Sequence, residues 1–343
     1  MNLSSQPVVG IVATGFMMIL TFFIISLFDV AIFGTWVAFL FMACIPTQIV
    51  CGLVWHCNYP VFTQQLSQPL KGFIFVLISI LGGAIFAPAM LYTVGGGIAP
   101  TPQLMMYTIT TVVVAFWIVG AWQAWPLSAL SSNPLVIGLG VLILCYLVAY
   151  LIFSTLFDFG FLAGAPIYVE SLDPKGLIMA WKIMSFCVTT VAVIMFCILC
   201  DFWPISSIAA ARENPAIWVV VATAWIGVVA GLVFYIATSV FNINYVVYMV
   251  RGPVCFIFGA FIVLNLLQNS LIGGIKKQPL RGLVLAAICI VLAALMQNIY
   301  AVVGPLVSGP LPSGQPAYQL ELWLANALLA ITFPLIVIQS NFL

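Results

Sequence analysis

Charge is what this sequence has least of. Lys and Arg number 8 and Asp and Glu 7 in 343 residues, 4% together, where a soluble domain carries about 25%. A chain that is 65% hydrophobic and so poor in charge cannot cover itself in water, so its outside is built for lipid. The net charge of +1 removes the basic footprint that nucleic acid requires. Histidine is nearly missing as well. His56 stands alone, which excludes histidine-rich di-iron centres and bis-histidine haem ligation by this chain. The sequence contains no His-Glu-x-x-His, no Gly-x-Ser-x-Gly and no Walker loop, each the carrier of a specific chemistry. Paired carboxylates are absent from the apolar runs. No catalytic motif is left, and neither a cofactor nor a metal is expected.

Long polar stretches are also lacking, so no separate soluble domain is expected. The apolar runs do not alternate with polar residues, as spanning β-strands do; VVGIVATGFMMILTFFIISLF is continuous. What is present is run after run of 18 or more apolar residues, the length that crosses a bilayer as a helix. The expected fold is all-α: one polytopic integral membrane helical bundle, residues 1–343, with about ten transmembrane helices. The spans are placed near 8–28, 34–56, 72–94, 103–124, 134–157, 177–200, 216–240, 245–268, 282–303 and 321–341. Proline and glycine punctuate them, and Asn133-Pro134, Asn214-Pro215 and Gln278-Pro279 act as start signals, because proline costs no hydrogen bond in a first helical turn. The first run has no Lys or Arg before it and is expected as a retained span rather than a cleaved signal peptide. Segment 159–171, FGFLAGAPIYVES, is too short to span and too apolar for an ordinary loop, and is expected to lie at the interface or re-enter.

Ten spans put both ends of the chain on one side. There Lys71, Arg212, Lys276, Lys277 and Arg281 face two acidic residues, against Lys175, Lys182 and Arg251 with five acidic residues on the other. The excess of basic residues predicts both termini in the cytoplasm, in a cell (inner) membrane.

The sequence echoes itself. TTVVVAFWIVGAWQAWPLS at 110–128 matches TTVAVIMFCILCDFWPIS at 189–206, each followed by Asn-Pro and another span. Gln68-Pro69-Leu70-Lys71-Gly72 matches Gln278-Pro279-Leu280-Arg281-Gly282. The separations are whole pairs of helices, which predicts parallel repeats: hairpins 103–157 and 177–240, and related segments 68–96 and 278–304.

Ionisable groups within spans are the default candidates for function. Lys182 and Arg251 lie one to two turns into their helices. Arg251 precedes Gly252-Pro253, and proline clashes with the carbonyl four residues back, so a kink near Met249 is predicted. Asp158, Asn242, Asn244 and Glu321 fall on the same side, and Arg251 is expected to pair with Asp158 or Glu321. The candidate binding residues are therefore Arg251, Lys182, Asp158, Glu321 and Asn242. Pro88 with Gly82-Gly83 predicts another kink, and Gly227-x-x-x-Gly231 a close-packing face. Trp122, Trp125, Trp203, Trp218 and Trp323 are read as anchors at the membrane interface. The nine cysteines, nearly all within apolar runs, are read as small hydrophobes. A Cys44, Cys51, His56 and Cys57 cluster and Cys197-x-x-Cys200 match no metal or redox spacing in a suitable context.

Two functions fit this profile: a membrane transporter or channel for a small solute, or a non-catalytic accessory subunit of a membrane complex. The first calls for a midplane cavity lined by Arg251 or Lys182, the second for a filled interior. The partners expected are the lipid bilayer and, for the second, other membrane subunits or copies of the chain itself.

Overall fold

The computed structural model describes residues 6–268, 270–309 and 319–339. Helix accounts for 78% of it, and ten helices are long and apolar enough to cross a membrane. They are α1 Val8–Ser26, α2 Val30–Val54, α3 Leu70–Thr93, α4 Pro102–Ala121, α5 Pro134–Leu156, α6 Ala180–Leu199, α7 Pro215–Val240, α8 Tyr245–Leu266, α9 Leu280–Ser308 and α10 Leu320–Ile338. The protein is an integral membrane protein in contact with the bilayer. Helix starts follow the sequence signals. Asn133 and Asn214 cap α5 and α7 by accepting from the backbone N–H of Leu135 and Ala216, with proline at the first helical position of each, as helix N-termini favour.

Burial sorts the helices by parity. Of α2, α4, α6, α8 and α10, 61–78% of the residues in the core stretch are buried; of α1, α3, α5, α7 and α9, 22–33%. The five even helices form an inner ring. Each touches the next, α2 to α4, α4 to α6, α6 to α8 and α8 to α10, and α10 closes on α2. Each odd helix lies outside, in the groove between two inner ones: α3 on α2 and α10, α5 on α4 and α2, α7 on α6 and α4, α9 on α8 and α6, and α1 on α10 and α8. Short connections make neighbours antiparallel, so the inner helices all run one way.

Polar side chains follow the same division. Thr47, Gln48, Gln103, Thr108, Thr110, Thr111, Ser185, Thr189, Thr190 and Asn265 are buried in inner helices, whereas the outer helices bury only Thr21 and Ser79 among the described residues. Lipid offers no hydrogen bonds, so these groups turn inward, although Thr47 Oγ1 and both amide atoms of Gln48 are buried without a hydrogen-bond partner among the described residues. Most bond back to the preceding turn, as Thr108 does to the carbonyl of Leu104 at 2.8 Å. Others tie neighbouring inner helices. Trp117 Nε1 donates to Thr190 Oγ1 at 2.9 Å between α4 and α6, and Thr189 and Tyr248 hydroxyls pair at 2.9 Å between α6 and α8.

A recurring joint holds the outer helices. The start of α9 meets the end of α6, where Gln278 Nε2 donates to the carbonyl of Leu199 and its Oε1 accepts from Gly282 N. The start of α1 meets the end of α8 likewise, through Gln6 to Leu266 O and Gly10 N. A Cβ on Gly10 would fall 2.4 Å from Leu266 O, and one on Gly282 2.7 Å from Cys200 Cα. Only glycine permits backbones this close. The same helix ends meet in α5 and α2, where Trp55 Nε1 donates to Pro134 O, and in α7 and α4, where Trp218 Nε1 donates to Ala121 O.

Several expectations meet the structure here, and two are corrected. Gly227 and Gly231 have no atom within 4 Å of an added Cβ, so they face outward and make no close helix contact. α3 is helical from Leu70 to Thr93 with Pro88 inside it. Trp218 and Trp323 are buried, with ring N–H groups bonded to Ala121 O and Ser308 Oγ; they are packing residues and not interfacial anchors. Segment 157–179, around the run expected to lie at the interface or re-enter, folds into a cap, in keeping with either placement. Phe157–Asp158 pairs in parallel with Ile178–Met179, and Asp173 gathers the backbone N–H of Phe159 and Lys175 and the hydroxyl of Tyr168.

Candidate functional site

Inner helices α8 and α10 are irregular within their spans. Pro253 sits in a π-helical turn, Val250–Val254, one turn into α8; an extra residue in the turn absorbs the missing donor and the ring clash. α10 breaks at Ala330–Ile331. Pro334 cannot donate to the carbonyl of Ala330, and the chain tightens through Ala330 N to Ala327 O and Ile331 N to Leu328 O.

Around these irregular turns, near the middle of every inner helix, lies a cavity of about 120 Å³. Each of the five supplies wall: Ile45 from α2, Val113 from α4, Val191 from α6, Ile257 from α8 and Leu329 from α10. Thr332 is the polar residue of the lining, and its one hydroxyl proton is donated to Leu329 O at 2.9 Å. Aromatic rings stand at the end nearer the inner helices' C-termini. Phe116 of α4 and Phe261 of α8 stack with centroids 6.3 Å apart and planes at 25°, and Phe258 meets Phe261 edge-on at 5.5 Å. Since α4 and α8 are not neighbours in the ring, this stack reaches across the axis.

The ionisable residues singled out from sequence lie elsewhere. Arg251 and Glu321 do meet: Nη2 and Nε approach Glu321 Oε1 at 2.6 and 2.8 Å. Glu321 is buried and the Arg251 side chain is half exposed. Gln297 of α9 donates to the Arg251 carbonyl, so α8, α9 and α10 are joined at one point beside the Pro253 turn. Asp158 is not part of it; its carboxylate accepts from Gly160 N at 3.0 Å. Lys182 is exposed at the start of α6 and makes no salt bridge among the described residues. Asn242 is exposed in the α7–α8 turn with φ of 52°, a left-handed conformation that asparagine tolerates. Neither Arg251 nor Lys182 lines the cavity, contrary to the expectation for a transporter. The ionic groups lock the outside of the ring, and its axis is apolar.

Tyr168 in the cap is held protonated, its pKa pushed up to about 12, chiefly because its hydroxyl donates to Asp173 Oδ2 at 2.9 Å. Cys57, beyond the end of α2, has its thiol pushed up to about 11 by burial, with Lys71 opposing. None of the nine cysteines forms a disulfide. Among the described residues no three His, Cys, Asp or Glu side chains converge as a metal site.

The cavity was not legible from charge or motif. Its signal was the prolines of the inner helices, of which sequence reading used Pro253 and passed over Pro46 and Pro334. No family model, no curated protein and no solved structure matches this chain.

Proposed function

We propose that this protein is a membrane transporter or channel for a small uncharged solute, with its route along the axis of the inner ring. The carrying observation is the midplane cavity walled by all five inner helices. An accessory subunit calls for a filled interior, so the cavity favours the solute reading. Prolines at the depth of the cavity, in α2, α8 and α10, add support, since interrupted helices are a common way of building solute sites in membranes. An apolar axis without a lining charge opposes ions, whose desolvation there costs far more than that of a neutral molecule.

The same reading takes the chain as five copies of one helix pair. In support, both members of each sequence echo fall in the same ring: α4 with α6 inside, α3 with α9 outside. The Gln-Pro-x-x-Gly joint at α1 and α9 is a further repetition. It also puts both termini in the cytoplasm of a cell membrane, on the side richer in Lys and Arg. Arg251 and Glu321 then act as a clamp between α8 and α10 at the opposite face.

The test is flux into sealed vesicles carrying the purified protein, over a panel of neutral solutes graded from polar (urea, glycerol) to weakly hydrated (small alcohols and esters), and of small ions. The expected result is protein-dependent entry of at least one neutral solute, without ion leak. Entry indistinguishable from protein-free vesicles, together with a stoichiometric partner after gentle purification, would move the accessory-subunit reading ahead.

A further inference from the structure

The geometry points to the axial cavity as a binding site for one small apolar molecule, up to about the size of benzene, bound without water. This rests on the transport reading and narrows its solute class. Three observations carry it. The first is size: an engineered cavity of about 150 Å³ walled by Leu, Ile and Phe takes benzene or xenon, and this one, partly open rather than sealed, has about 120 Å³. The second is chemistry. Water in a protein interior needs two to four polar partners, and here the Thr332 hydroxyl is bonded to its own helix while Ile45, Val113, Val191, Ile257 and Leu329 offer none. A hydrated solute or an ion would lose its shell for nothing. The third is the aromatic end wall. The Phe116 and Phe261 stack, with Phe258 edge-on, gives a planar apolar face for a guest and limits its length along the axis.

Apolar molecules cross lipid unaided, so binding is the informative readout and flux is not. The experiment measures uptake of xenon by its NMR shift, and of benzene by equilibrium partition, in nanodiscs of the purified protein. Ala325→Phe and Val191→Phe each fill the cavity from a different helix, and Gly227→Leu adds bulk on the lipid face. The expected result is a saturable component in the wild type and Gly227→Leu, reduced at least tenfold in both filled variants. Phe116→Leu should extend binding to guests larger than benzene. Equal uptake by wild type and by a filled variant that still melts cooperatively would overturn the inference, as would absence of a saturable component in the wild type. The two readings separate cleanly. Flux of a polar neutral solute without xenon binding retains transport and rejects the apolar class, whereas xenon binding without entry of any polar solute retains the site and rejects a route for polar solutes.

Discussion

At the scale of single residues, the Arg251–Glu321 pair shows how unequal two partners of one bond can be. Glu321 is buried and Arg251 half exposed, so removing the arginine strands a carboxylate away from water, whereas removing the carboxylate's charge releases an arginine that reaches solvent. Arg251→Ala is therefore expected to cost about 2 kcal/mol, between the values for exposed and buried pairs, and Glu321→Gln clearly less. Thermal melts in one detergent check the order, and equal losses would contradict the asymmetry. Sequence reading reached this pair because Arg in a span is rare and Glu321 lay on the same side. It could not separate Glu321 from Asp158, since that choice depends on which inner helices adjoin. Tyr168 carries a pH dependence. Its folded pKa lies above the ordinary value, so its contribution to holding the cap is full below about pH 10 and is lost as pH rises through about 12. Protease cleavage within 157–179 should increase over that window, and Tyr168→Phe should show the increase already at neutral pH.

Among elements, glycine separates joints from lipid-facing surface. Gly282 lies against Cys200 at the α9–α6 joint, and Gly227 touches nothing. Gly282→Ala forces two helix ends apart and is expected to destabilise by about 1–3 kcal/mol, as overpacking does. Gly227→Ala should be neutral or stabilising by up to about 1 kcal/mol, from helix propensity alone. Melting temperatures of the two variants, moving in opposite directions, are the check. The ten spans themselves were legible almost to the turn, because span length and hydropathy are local properties of the chain. Helix irregularity was legible only where proline announced it. The π-helical turns ending α2 and α4, Val50–Val54 and Trp117–Ala121, have no proline within them. They arise where the helix end meets a neighbouring outer helix, and nothing in the local sequence encodes that.

Across the whole molecule, two rings of five helices follow from where polar residues can be placed. The buried threonine, serine and glutamine side chains of the spans lie mostly in every second helix, and a helix carrying buried polar groups is driven inward by lipid. That alternation is one of burial and not of composition, since the outer spans hold as many of these residues as the inner ones. The closure of the ring was not present in the sequence either, since it depends on contacts between α2 and α10 at opposite ends of the chain. Closure creates the axis, and the axis creates the cavity that carries the functional reading. The most direct test of that reading is to plug it. Val191→Trp places an indole in the cavity from α6, and flux of the best-transported neutral solute is compared with wild type at equal protein density in vesicles. The account predicts at least a tenfold loss in Val191→Trp with no loss in Lys182→Ala, whose side chain stands outside. Wild-type flux through a correctly folded Val191→Trp protein would contradict it and put the route elsewhere.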